Sequence, residues 1–157
     1  MTDPSVHPET GRIETESQRL DRNTLELMAE LRVALPGVQV LFAFLLVVPF
    51  NPRFDEVSPF LEGVYLLTLL CTAGASAFLI APSVHHRLRF RRQEKEQIVV
   101  VGNRLAIVGL GLLAVAMTGA VGLITGFLFP VVTAVVCTIA TAATFATLWY
   151  GVPRRWR

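Results

Sequence analysis

Acidic side chains are missing from most of this chain. No Asp or Glu occurs between Gly63 and His85, or between Asn103 and Arg157. Charge of either sign is absent from Gly63 to Ala81 and from Leu105 to Pro153, runs of 19 and 49 residues. Runs of that length exclude an ordinary soluble domain, whose surface helices need a polar face. Cysteine is scarce too. Cys71 and Cys137 each lie near the middle of an apolar run, which fits small packing residues and excludes a disulfide framework. The chain has no Gly-rich phosphate loop, no metal-ligand motif and no Ser, His and Asp set in a shared pocket. No cofactor or metal is therefore expected, and a membrane enzyme is the function class the residues support least. A secretory signal is also lacking, since about thirty mostly polar residues with more acids than bases precede the first apolar stretch. The first span is expected to act as its own insertion signal.

What is present is apolar. Of 157 residues 53% are hydrophobic and 17% charged, and roughly 20 helical residues cross a hydrocarbon core of about 30 Å. The expected fold class is all-α, an integral membrane bundle of four transmembrane helices preceded by a short amphipathic helix. Residues 1–22, with Pro4, Pro8 and Gly11 among Ser, Thr and Glu, form a disordered cytoplasmic tail on this reading. Residues 23–157 form the four-helix transmembrane domain, with spans at about 33–50, 60–81, 98–125 and 131–150.

Local signals mark the boundaries. Asn23 with Glu26 makes a capping-box pattern, and Leu27, Met28, Leu31 and Leu35 then recur at helical spacing. A helix from Thr24 to Leu35 lying at the membrane surface follows, or one packed on a soluble partner. Pro36 and Gly37 are expected to kink or restart the first span, with Gln39 bonding a neighbouring helix or the carbonyl that Pro36 frees. Ser58 caps the second span, Pro59 takes its first position, Glu62 sits in its first turn, and Pro82 ends it. The stretch from Gly126 to Pro130 divides the long apolar block.

Between the second and third spans lies the one strongly basic island. Arg87, Arg89, Arg91, Arg92 and Lys95 against Glu94 and Glu96 give a local charge of plus 3. With four spans the tail, this island and the C-terminus share one side and carry 4, 5 and 3 basic residues, whereas the other side has Arg53 alone. By the positive-inside rule both termini are cytoplasmic, in the inner (plasma) membrane of a cell. Trp149 and Tyr150, followed by Arg154, Arg155 and Arg157, form an aromatic and basic anchor.

Small residues four apart let membrane helices approach closely. Such stripes run through Ala73, Ala77 and Ala81, through Ala114, Thr118, Gly122 and Gly126, and through Ala134, Thr138, Ala142 and Ala146. They predict a compact bundle, or alternatively a homo-oligomer. Arg87, Arg89, Arg91 and Arg92 are candidate contacts for anionic head groups of the lipid bilayer or for a membrane partner protein, each charge near the surface contributing about 1 kcal/mol. Nucleic acid is not an expected partner, because the patch is short and tied to the bilayer. His85 and His86 are adjacent, so their side chains diverge by about 100° and cannot chelate one ion together. Glu30, Glu62 and Arg104 are the candidate coupling or ion-pair residues, Arg104 reaching the basic face or pairing with Glu30. The expected role is a non-enzymatic accessory or scaffold with a basic cytoplasmic face. The alternative is a small proton- or cation-coupled transporter using Glu62 or Glu30 with Arg104.

Three pieces of the chain carry a resemblance. They are Glu30-Leu-Arg-Val-Ala-Leu-Pro-Gly-Val-Gln-Val-Leu-Phe-Ala-Phe-Leu-Leu46, the pattern of Ala81-Pro82, His86-Arg87 and Phe90-Arg91, and the closing Leu148-Trp149-Tyr150 with Pro153. From about Asn23 the chain resembles a bacterial family of short, uncharacterised four-helix membrane proteins, common in actinobacteria and classed as a domain of unknown function. Members are sometimes labelled sodium:proton antiporters. The resemblance implies four membrane helices and brings no catalytic or ion-binding residues with it.

Overall fold

The computed structural model describes residues 5–6, 13–14, 16–89 and 95–151. Four helices account for nearly all of them: α1 (Glu16–Val47), α2 (Pro59–Arg89), α3 (Lys95–Leu128) and α4 (Val131–Ala146), the last running on into a wide turn over Thr147–Gly151. All four are long and apolar enough to cross a membrane, at Leu25–Phe50, Pro59–Val84, Val100–Leu128 and Val131–Trp149. Near the N-terminus β1 (Ser5–Val6) pairs antiparallel with β2 (Ile13–Glu14), Ser5 opposite Glu14.

Helix boundaries differ from the sequence expectations at Pro82 and at one cap, and α1 does not restart at Pro36. α1 begins at Glu16 within the stretch assigned to a disordered tail, so Asn23 lies inside the helix rather than at its start. Good helix formers at Glu16, Gln18, Arg19 and Leu20 carry the pattern upstream, and Arg22 faces Glu26 at 3.9 Å one turn on. The amphipathic stretch is thus the first part of α1, continuous with the span through Pro36. Gln39 is exposed beyond it. α2 likewise passes through Pro82 to Arg89 instead of ending there. Pro82 is buried, with its Cβ 3.6 Å from where a Cβ on Gly102 would stand. A proline removes one hydrogen bond, and packing on both sides of it can hold the helix course. α3 runs past Gly126 to Leu128, and the break falls at Pro130, whose carbonyl accepts from Ala134 N–H at 3.2 Å to open α4.

The start of α2 follows its sequence signals. Ser58 Oγ accepts from Leu61 N–H at 3.5 Å, Pro59 takes the first helical position and Glu62 lies in the first turn. The loop before it is fastened from α2. Leu45 O has no helical donor, because the residue four on is Pro49. Tyr65 fills the gap by donating its hydroxyl hydrogen to Leu45 O at 3.0 Å, while Phe54 meets the Tyr65 ring edge-on at 5.3 Å. Nearby Gly63 is exposed, and a Cβ there would touch nothing within 4 Å. Gly63→Ala therefore removes only the cost of glycine in a helix, and detergent-solubilised protein should gain about 0.5–1 kcal/mol in unfolding measurements. A loss of stability would mean that something packs on that face.

α3 is the organising helix: it packs most extensively on α2, and α4 and α1 also lie against it. The buried line on α2 is Thr68, Thr72, Ala75, Leu79 and Pro82, alternating steps of four and three. Facing it on α3 are Gly102, Ala106, Gly109, Ala116 and Gly119. Leu31 and Val38 of α1 complete the core. The stripe expected through Ala73, Ala77 and Ala81 is not the contact face, for Ala77 is exposed and the other two only part-buried. On α4 only the N-terminal half of its stripe packs, at Ala134 and Thr138, whereas Ala142 and Ala146 are exposed.

Candidate functional site

Three regions of the bundle differ in chemistry: the end at the 51–58 loop, the middle, and the end where Glu16, Arg89 and Lys95 lie. At the loop end the helices stand apart. One apolar cleft of about 390 Å³ lies between α1, the loop and α3, lined by Phe44, Val48, Phe54, Leu123 and Ile124 among others, with Asn51 the one polar residue in its wall. A second, of about 420 Å³, lies between α2 and α4 over a floor of Gly119, Gly122 and Gly126. Leu61 stands between them and lines both.

The middle is closed. Thr68 and Thr72 are the buried polar residues among those described, at 2% and 0% exposure. Each donates its hydroxyl hydrogen back into its own helix, Thr68 to Val64 O and Thr72 to Thr68 O, both at 2.7 Å, and Ser76 repeats the pattern to Thr72 O at 3.0 Å. Bonding of this kind satisfies the hydroxyl without asking anything of another helix. Gly119 of α3 then comes directly against Thr68, and Gly109 against Leu79. Cys71 and Cys137 are free thiols, both part-buried.

At the other end the helices outrun the bilayer. α1, α2 and α3 hold 32, 31 and 34 residues, about 46–51 Å at 1.5 Å per residue. α4 has 16 residues plus a turn of 5, close to the roughly 30 Å of a hydrocarbon core. At the loop end the elements finish together, with Gly126 of α3 beside Leu61 of α2 and only Phe129 and Pro130 between α3 and α4. The surplus length of the three long helices therefore lies at the basic end. Their join there is packed: Leu27 of α1 approaches Gly102 of α3, and Ser83 Oγ donates to Met28 Sδ at 3.4 Å.

The charged residues singled out from the sequence are placed as follows. Glu62 is exposed at the loop end; Glu30 and Arg104 are exposed at the basic end. Glu62 is thus the length of a span away from the other two. Glu30 and Arg104 occupy neighbouring helices, yet neither makes an ion pair within 4.0 Å among the described residues, so the expected pairing does not form. Arg87 and Arg89 lie in the last turns of α2. Arg91 and Arg92 fall outside the described residues, as do Arg154, Arg155 and Arg157.

Reading by fours passed over two features. The α2–α3 contact repeats by sevens, through Gly102 and Gly109 and through Gly119 and Gly126, and a search for small residues seven apart would have found it. The second is an uncovered face of α3. Arg104 is exposed there, with Val100, Val101, Ile107 and Val108 between 43% and 53% exposed. Only the length of α4 reveals it.

The sequence profile of a family of unknown function, DUF6328, matches residues 13–153, nearly the whole chain, and the protein belongs to that family. No curated protein and no solved structure matches it.

Proposed function

For this member of DUF6328 we propose a non-enzymatic role as a multi-pass accessory or scaffold of the inner membrane, both termini cytoplasmic, presenting a basic helical end to anionic head groups or a partner protein. The observation that carries this reading is the overhang. Three helices continue past the end of α4 on the side where basic residues concentrate, with Arg19, Arg22, Arg32 and Arg104 exposed along α1 and α3. Arginines carried beyond the bilayer on α3 and on α1, where exposed Glu26 and Glu30 stand beside them, are placed to meet a negatively charged surface. The interior supports the same reading. Its buried hydroxyls are bonded within their own helix, and both clefts are apolar.

Coupled transport is the competing class, and it would have to run through Glu62 or Glu30. Proteoliposomes holding a sodium or proton gradient separate the two. Dissipation is expected to match protein-free vesicles, with Glu62→Gln and Glu30→Gln behaving like the unaltered protein. Exchange that vanishes in one of these variants would make transport primary and name its coupling residue. In a parallel titration with dioleoylphosphatidylglycerol, read by native mass spectrometry, replacing Arg87, Arg89, Arg91 and Arg92 by Gln should lower the number of lipids retained. Undiminished retention would remove the island from the lipid-contact role.

A further inference from the structure

The uncovered face of α3 is a continuation of the face that α4 covers. At 100° per residue Val100, Val101, Arg104, Ile107 and Val108 all lie within about 60° of the direction of Gly122, and Gly122 is where α4 makes contact, through Thr138. The two helices run antiparallel. Counting away from that contact at equal rise brings Gly151, the last described residue, level with about Gly109. The described part of α4 thus ends level with the start of this patch, and Val115 on the same face, level with Phe145, is already 49% exposed.

Its chemistry is mixed in a specific way. Four branched aliphatic side chains, each about half exposed, surround one guanidinium. Arg104 makes no hydrogen bond or ion pair with any described residue, Glu30 of α1 included. A bare guanidinium offers five donors in a fork that suits phosphate. Its depth is also defined. Trp149, packed edge-on against Phe145 at 5.1 Å, ends α4 as an aromatic side chain of the water interface does. By the same count Trp149 is level with about Gly111, so Arg104 lies about seven residues beyond it, or roughly 10 Å. An arginine stem reaching back towards that level puts its guanidinium among lipid phosphates, with Ile107 and Val108, about 5 Å beyond the indole, beside the glycerol region.

We propose that this patch is a binding site for one anionic phospholipid, its phosphate on Arg104 and the apolar part of its glycerol region on Ile107 and Val108. A second copy of the chain is a poor occupant. Two such patches meeting face to face would bring like charges together with no acid in either. The site deepens the lipid-contact reading above and rests on it, but it involves a different residue set from the island at Arg87 to Arg92.

The test is the same phosphatidylglycerol titration of the full-length protein, with dioleoylphosphatidylcholine as the uncharged reference. The tightest phosphatidylglycerol should bind unaltered protein about fivefold more strongly than phosphatidylcholine, the preference that one surface charge provides. Arg104→Gln should abolish that preference, and Arg104→Lys should keep most of it. Val101→Ser with Val108→Ser, leaving the charge in place, should weaken the tightest lipid about threefold. Substitution of the four island arginines should cost later-binding lipids and leave the tightest one. Because Arg104 is exposed, its variants should melt at unchanged temperature in detergent, which checks that they fold. An unchanged preference in Arg104→Gln would overturn the site. Loss of all phosphatidylglycerol preference in the island variant alone would place lipid binding at the island and overturn it equally. If phosphatidylglycerol shows no preference on unaltered protein, the broader lipid-contact reading fails with it.

Discussion

Gly119→Ala is expected to lower stability by about 1–3 kcal/mol, a large effect for one added methyl. A Cβ at position 119 would run into Thr68 Oγ1, with Thr68 Cβ and Cγ2 at 3.3 and 3.4 Å. Thr68 is not free to turn aside. Its hydroxyl is committed to Val64 O at 2.7 Å, and in a bilayer interior no water is at hand to replace that bond. Rotation would also swing the other γ substituent towards the same space. Relief must then come from moving α2 off α3. That separation would loosen Gly109 from Leu79 and Gly126 from Leu61 on the same seam. A double-mutant cycle tests the mechanism. Thr68→Ala clears the obstructing atoms, so the double variant should recover most of the loss, with a coupling of about 1 kcal/mol or more. The measurement is reversible unfolding in mixed micelles. Strict additivity would mean that Gly119 and Thr68 do not meet.

Leu79→Ala is the second large effect and comes from the opposite fault, a hole. Leu79 is fully buried and belongs to the cluster of Leu31, Val38, Ala75 and Ala106 where α1, α2 and α3 meet. Across from it a Cβ on Gly109 would stand 2.8 Å from Leu79 Cγ, so the leucine fills the space that glycine leaves. In water such a truncation costs about 2–5 kcal/mol, part of it for lost transfer from water. In a bilayer the separated helices face lipid as apolar as leucine, so that part shrinks and the lost packing remains. The expected loss is about 2–3 kcal/mol. Leu66→Ala and Leu70→Ala serve as controls on the same helix. Both side chains are more than half exposed to the surroundings of the bundle, and each change should cost under about 0.5 kcal/mol. Equal losses at all three positions would mean that burial within the bundle contributes nothing.

These two predictions mark where sequence reading stopped. That the chain holds four helices long and apolar enough to cross a membrane could be read directly, because length and apolarity alone decide what can cross a hydrocarbon core. Small residues were rightly taken as contact points, as at Gly122, Gly126 and Thr138, yet the stripe through Ala73 and Ala77 proved to be the wrong face. A period of four and a period of seven both pass through a helix rich in Ala and Gly. Only the partner's surface chooses between them. The boundary at Pro82 was misplaced because a proline's local effect is to break, whereas here its burial against α3 near Gly102 holds the helix on course.

By itself the sequence determined that four helices are long and apolar enough to cross a membrane, that basic residues gather at one end, and that the carboxylates within the spans, Glu26, Glu30 and Glu62, lie near their ends. Those properties depend on transfer between water and lipid, which each segment undergoes on its own. Only the tertiary structure decided that α3 is central, that Gly119 and Gly109 receive α2, that Glu30 and Arg104 stay apart, and that α4 ends short of its neighbours and leaves a valine-lined arginine exposed. Such features are relations between helices. They depend on which faces meet and at what register, and in a bilayer, where every apolar face is equally soluble, shape complementarity and not hydrophobicity makes that choice.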